Sequence, residues 1–250
     1  MIPYWDIQQG TPAWYKLRSG IPTASEFDSI VTPVKGDLSS ARHKYACRLV
    51  AERVLRWQAD SLDKIDHIQA GKENEPFAVA QFEEIQGIQT RKLGFATTDD
   101  GLVGATPDRV VMSGDRIEIT LEVKSPTIPV QLEYLLFGQG AAYRCQVQGQ
   151  LYVCENDRAI FYAYCPRTPA FMVETGRDEP FIKKLAVALD QFTEELDEME
   201  ARARSLGFFQ PFPELVTPVT AAYADVAAAG EPTDPAAFLE DAARRAQFAA

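Results

Sequence analysis

Two carboxylates and an amine stand on the arms of one predicted hairpin: Asp108 directly after Pro107, and Glu122 two residues before Lys124. Carboxylates gathered at one place repel each other unless a cation neutralises them, and hard oxygen ligands suit magnesium or manganese. The stretch "GATPDRVVMSGDRIEITLEVKSP", residues 104–126, predicts how they meet. Ile117, Ile119, Leu121 and Val123 point to one face of a strand, and Glu118, Thr120, Glu122 and Lys124 to the other. A turn over Ser113-Gly114-Asp115 folds the chain back. That sets Asp108 roughly across from Thr120 and Leu121, with its carboxylate approaching Glu122 at the open end of the hairpin. Pro107 and Ser125-Pro126 bracket the two strand ends. The same alternation also suits an ordinary strand with one wet face. The flanking prolines favour a candidate metal site.

The surrounding segments predict the elements that position this hairpin. "GIPTASEFDSIV" carries Thr23 three residues before Glu26, a capping-box signature for a short helix. Longer helices are predicted over "SSARHKYACRLVAERVLRW", over "ENEPFAVAQFEEI" with Pro76 near its first turn, and over "AAYRCQVQGQLYVC". "RKLGFAT", "DRVVM", "RIEITLEV", "RAIFYAYC" and "AFMVETG" read as strands, with a mixed loop after Lys124. "PFIKKLAVALDQFTEELDEMEARARSL" reads as a long amphipathic helix. This order predicts an α/β sandwich. Residues 1–210 form the expected domain, and the Pro- and Ala-rich residues 211–250 an acidic, flexible extension with one short terminal helix.

Composition narrows the classes. The chain has 250 residues, 46% of them hydrophobic, enough for one sizeable core. No apolar run reaches the roughly 20 residues that span a bilayer, and the N-terminus lacks a basic region followed by an apolar stretch. A cytoplasmic protein is expected. Cys47, Cys145, Cys154 and Cys165 form no CxxC pair and are expected to be buried free thiols, which argues against zinc, disulfides or an iron–sulfur cluster. His43 and His67 show no ligand spacing. The net charge is −11, but residues 178–250 hold 14 acidic and 6 basic residues against 22 and 19 in the remainder. The acidity is largely C-terminal, so a basic track for nucleic acid is compatible with the first 177 residues.

Pro107-Asp108 followed by Glu122-Val123-Lys124 resembles the signature of the PD-(D/E)xK nuclease superfamily, and implies a restriction-endonuclease-like core with a mixed central sheet. Further segments narrow the resemblance to the phage lambda exonuclease and YqaJ-type viral recombinase family. "WYKLRSGIPTASEF" is similar to the family's N-terminal segment, in which an arginine and a serine, here Arg18 and Ser25, hold a DNA phosphate. "AGKENEPFAVAQFEE" resembles the helix whose glutamate, here Glu75, faces the metal centre. Gln148-x-x-x-Tyr152 looks like the glutamine and tyrosine motif of the RecB-like branch. Thr106 stands where serine is usual, and its hydroxyl offers the same hydrogen bond. Ala70-Gly71 lacks the basic residue often found before that glycine.

This resemblance implies a Mg2+- or Mn2+-dependent exonuclease that degrades one strand of linear duplex DNA from its 5′ end. It implies a homotrimer that passes the exposed strand to a single-strand annealing protein, in a bacterial host's cytoplasm if the gene is a phage's. Asp108, Glu122, the Val123 carbonyl and Glu75 would hold two ions. Lys124 would orient or deprotonate the attacking water, with Gln148 holding the site and Tyr152 packed behind it. A structure-selective RecB-like nuclease and a metal-free DNA-binding or assembly module are the alternatives.

Overall fold

The computed structural model describes residues 1–55, 66–141 and 143–208. The chain divides into a compact unit, Met1–Arg202, and a second unit, Ala203–Ala250. The expected extension over 211–250 lies outside the described residues, as do the last two residues, 56–57, of the helix expected to run through "VLRW".

The centre of the first unit is a four-stranded sheet in the order β4-β5-β6-β7, formed by β4 (Arg109–Ser113), β5 (Arg116–Lys124), β6 (Arg158–Ala163) and β7 (Phe171–Gly176). β4–β5 and β6–β7 are antiparallel, while β5 and β6 run parallel. Parallel neighbours need a crossover, and the chain supplies it with α4 (Ile128–Phe137) and α5 (Arg144–Val153). The expected loop after Lys124 is therefore largely helix. Pro129 sits in the first turn of α4, where its missing N–H costs nothing.

β5 is central, and both of its faces are covered. Ile119, Leu121 and Val123 pack with Val111, Ile160 and Tyr162 against Ala78, Val79 and Phe82 of α3 (Asp66–Gln86). On the opposite face Ala159 joins Val147 and Leu151 of α5 and Ile182, and Phe161 joins Tyr134 and Tyr143. The wet strand face admitted by the alternation survives only at the ends of β5: Glu118 is exposed and Lys124 half-buried, but Thr120 is 0% exposed and Glu122 3%. α3 begins well before the expected start, so Pro76 falls inside the helix and not in its first turn.

A smaller sheet, β1 (Ile2–Tyr4), β2 (Phe95–Thr97) and β3 (Gly104–Ala105), stands beside the N-terminal elements. Two of its strands are too short to leave a periodic signal. Gly94 has no alternative here, because a Cβ would lie 1.9 Å from the Ile7 carbonyl oxygen. α1 (Pro12–Arg18) docks through Trp14, whose Nε1 donates to the Gly94 carbonyl at 2.8 Å. The expected Thr23-capped helix is a 3-10 helix, Ala24–Ser29, without a side-chain cap from Thr23. α2 (Arg42–Leu55) is tied to the long α6 (Glu179–Ser205) by Arg42–Glu195 at 3.2 Å, Arg53–Asp197 at 2.7 Å and Tyr45 stacked on Phe192. Among the thiols, Cys145, Cys154 and Cys165 are buried but Cys47 is exposed. Burial pushes both Cys145 and Cys154 up to about 12, far from a reactive thiolate.

Candidate active site

The hairpin carries a β-bulge that decides what Asp108 faces. Near the turn, Ser113 pairs with Arg116 and Met112 with Ile117, but beyond the irregularity Val111 pairs with Ile119 and Arg109 with Leu121. One extra residue, Glu118, has been taken up on β5. Without it Asp108 would stand opposite Leu121; with it, the ladder extends to place Asp108 opposite Glu122. Cross-strand neighbours share a face. The Asp108 carboxylate also caps the strand end, its Oδ2 accepting from the Val123 N–H at 2.7 Å.

Glu122 is held from three directions. Gln146 Nε2 donates to Oε1 and Gln150 Nε2 to Oε2, each at 2.6 Å, and the Lys124 ammonium donates to Oε1. The Lys124 ammonium also lies 5.6 Å from the centre of the Tyr143 ring. Burial opposes the lysine's charge, but Glu122 and Asp108 outweigh it and hold Lys124 above its ordinary range. Asp108 is pushed well above the usual carboxylate range, first by burial and then by the neighbouring Glu122. Glu75 contributes to that repulsion from a greater remove, with Lys92 3.9 Å away.

The α5 glutamine assigned from sequence is not the one at the centre. Gln148 Nε2 donates to the Gly176 carbonyl at 2.9 Å, and its Oε1 accepts from the Asp178 N–H at 2.8 Å. Both ends of the amide join β7 to the start of α6. Tyr152 packs with Val147, Leu151, Ala159 and Ile182, and lines a surface cavity with Arg177 and Glu155. The pair four residues apart that reaches Glu122 is Gln146 and Gln150. In "QVQGQLY" the two pairs differ by only two positions, but two residues turn a helix by roughly 200°. The motif's spacing was legible; its phase was not.

A second cluster lies at the N-terminal elements. Arg18 sits over the Trp14 ring at 4.1 Å and donates through Nη2 to Thr23 Oγ1 at 3.2 Å. Thr23 Oγ1 is 3.3 Å from the exposed Ser25 hydroxyl, so the threonine links the two residues expected to hold a phosphate. Thr106, two residues before Asp108, keeps its Oγ1 buried without a hydrogen-bond partner among the described residues.

Asp108 and Glu122 offer hard oxygen donors, and their mutual repulsion in a buried place is what a divalent cation relieves. The donor set fits magnesium or manganese. Among the described residues no three carboxylate, histidine or cysteine side chains are gathered as one metal cluster, so Glu75 stands outside the pair.

A central mixed sheet with helices on both faces, and a half-buried Asp–Glu–Lys group at the end of an antiparallel hairpin, is the restriction-endonuclease-like class of α/β fold. The chain belongs to the YqaJ-like viral recombinase domain family, whose profile matches residues 13–157 and so spans both clusters. An alkaline exonuclease (LHK-Exo) from Laribacter hongkongensis has a similar fold, with a TM-score of 0.70 and 23% identity over 79% of this chain and 98% of that one. The same protein in complex with dAMP gives 0.69 and 25% over the same shares. A phage-related exonuclease from Haemophilus somnus 129PT gives 0.58 and 16%, over 73% and 96%. Comparison with curated proteins found no match.

Proposed function

We propose that this protein is a metal-dependent exonuclease that degrades one strand of linear duplex DNA in the 5′→3′ direction. The observation that carries the proposal is the half-buried Asp108–Glu122–Lys124 group, its Glu122 oriented by Gln146 and Gln150. Asp108 and Glu122 would hold Mg2+ or Mn2+, two ions if the Val123 carbonyl and Glu75 join them. Such ions polarise the scissile phosphate and lower the pKa of an attacking water when bound. Lys124, drawn off Glu122, is placed to orient that water. Gln146 and Gln150 keep the Glu122 carboxylate from rotating.

Polarity is inferred from Arg18, Thr23 and Ser25, which line up a guanidinium and two hydroxyls suited to a terminal 5′ phosphate. LHK-Exo, an alkaline exonuclease of similar fold at 25% identity over 79% of this chain, supports the exonuclease reading. We extend it to a homotrimer handing its product to a single-strand annealing protein, in the cytoplasm. The test is incubation of linear and closed circular duplex with the protein and Mg2+, using strand-specific end labels. Loss of the linear duplex from its 5′ ends, with the circle intact, is expected. Cutting of the circle would favour a structure-selective endonuclease, and no cutting of either a DNA-binding module.

A further inference from the structure

Arg48, one turn along α2 from Tyr45, lines the same small cavity as Arg18 and Thr23. Its guanidinium lies over the Tyr45 ring at 4.8 Å, and the Tyr45 hydroxyl oxygen accepts from the Thr23 N–H at 3.1 Å. Among the described residues the Nε atoms of Arg18 and Arg48 are both buried without a hydrogen-bond partner. Two guanidinium groups thus reach one cavity, each with a donor left over. A buried unpaired donor is costly, and a pair of them calls for an acceptor that arrives from outside.

The cavity already contains negative charge. Glu26 Oε2 is 3.1 Å from Arg48 Nη2, and the buried Glu52 accepts from the Gly20 N–H at 3.1 Å. With Arg18, Arg48, Glu26 and Glu52 the site is neutral, so a phosphate could enter only against two carboxylates. Its volume, about 30 Å³, admits water and not a phosphoryl group. Something must leave. Glu52 is buried and bonded to the backbone, whereas the Glu26 side chain is 37% exposed and stands at the mouth. Its departure would both open room and leave the cavity with a net positive charge.

We propose that Arg48 is a second arginine of the terminal-phosphate pocket, and that Glu26 is a displaceable internal anion that occupies Arg48 until a 5′ phosphate replaces it. This rests on the reading of the pocket as the seat of a 5′ end. The exchange makes the pocket select for end chemistry: a 5′ hydroxyl cannot compensate Arg48 for the loss of Glu26.

The test compares duplexes with 5′-phosphate and 5′-hydroxyl ends, by degradation rate in Mg2+ and by fluorescence anisotropy in EDTA. Arg48→Ala is expected to cut the phosphate-to-hydroxyl rate ratio about tenfold, the size of one charge-assisted contact. Glu26→Gln should tighten binding of the phosphorylated duplex several-fold, and that gain should vanish in the Arg48→Ala background. Arg48→Gln, checked by thermal melting, serves if the alanine variant does not fold. A ratio unmoved by either Arg48 variant but collapsed by Arg18→Ala would overturn this inference and leave the 5′-end reading standing. A wild-type protein indifferent to end chemistry would overturn that reading itself.

Discussion

The Lys124 ammonium donates to Glu122 Oε1 at the half-buried end of the hairpin, and this pairing decides what each substitution does. Lys124→Ala should lower turnover about a hundredfold or more, as expected for a residue positioned on the attacking water, while DNA binding persists in a gel-shift assay. Retention of near wild-type rates in saturating Mg2+ would return the group to a structural ion pair. The glutamines of α5 separate function from scaffold. Gln146→Ala removes a bond to Glu122 Oε1 and should slow turnover about 10–100-fold, the usual cost of losing a ligand-orienting contact. Gln148→Ala removes two bonds to backbone and should instead cost about 1–3 kcal/mol of stability, read by thermal or urea denaturation. The opposite pattern would restore Gln148 to the catalytic role assigned from sequence.

At the level of elements, α5 is the hub. One face presents Gln146 and Gln150 to β5, another packs Val147 and Leu151 on the sheet, and Gly149 lies against the 3-10 helix that carries Ser25 and Glu26. A Cβ on Gly149 would stand 2.5 Å from the Phe27 ring and 3.1 Å from the Ala24 Cβ. Gly149→Ala should therefore push that segment off the helix, at a cost of about 1–3 kcal/mol typical of overpacking. Because the same segment carries part of the proposed phosphate pocket, preference for phosphorylated ends should fall with stability; a variant that loses neither would show that the contact yields easily. The hairpin bulge is the other element-level device. It moves Asp108 by one register position, and a one-residue slip in a sheet exchanges faces.

Across the whole molecule, every residue assigned to chemistry or phosphate capture falls within Met1–Arg202. A chain ending at Gln210 should keep its fold and its degradation rate, since it retains every one of those residues. Circular dichroism and a linear-duplex assay check this; loss of both would assign residues 211–250 a structural part. Among the described residues no helix is long and apolar enough to cross a membrane. Arg42 and Arg53 of α2 meet Glu195 and Asp197 of α6.

Local chemistry made the candidate hairpin, the long amphipathic α6 and the Asp108–Glu122–Lys124 group legible, because period-two alternation, a glycine turn and 3.6-residue spacing are written in neighbouring residues. Membership of the family was legible from Arg18, Glu75 and the hairpin in their chain order. Tertiary structure alone decided three things. The bulge, which sets Asp108 against Glu122, answers to twist and packing across strands and leaves no mark in composition. The phase of α5, which gives Glu122 to Gln146 and Gln150 and sends Gln148 to Gly176, depends on what covers each side of a helix polar on several faces. The cavity shared by Arg18, Glu26 and Arg48 joins α1, the 3-10 helix and α2, whose side chains meet only when the chain has closed around Phe27 and Tyr45.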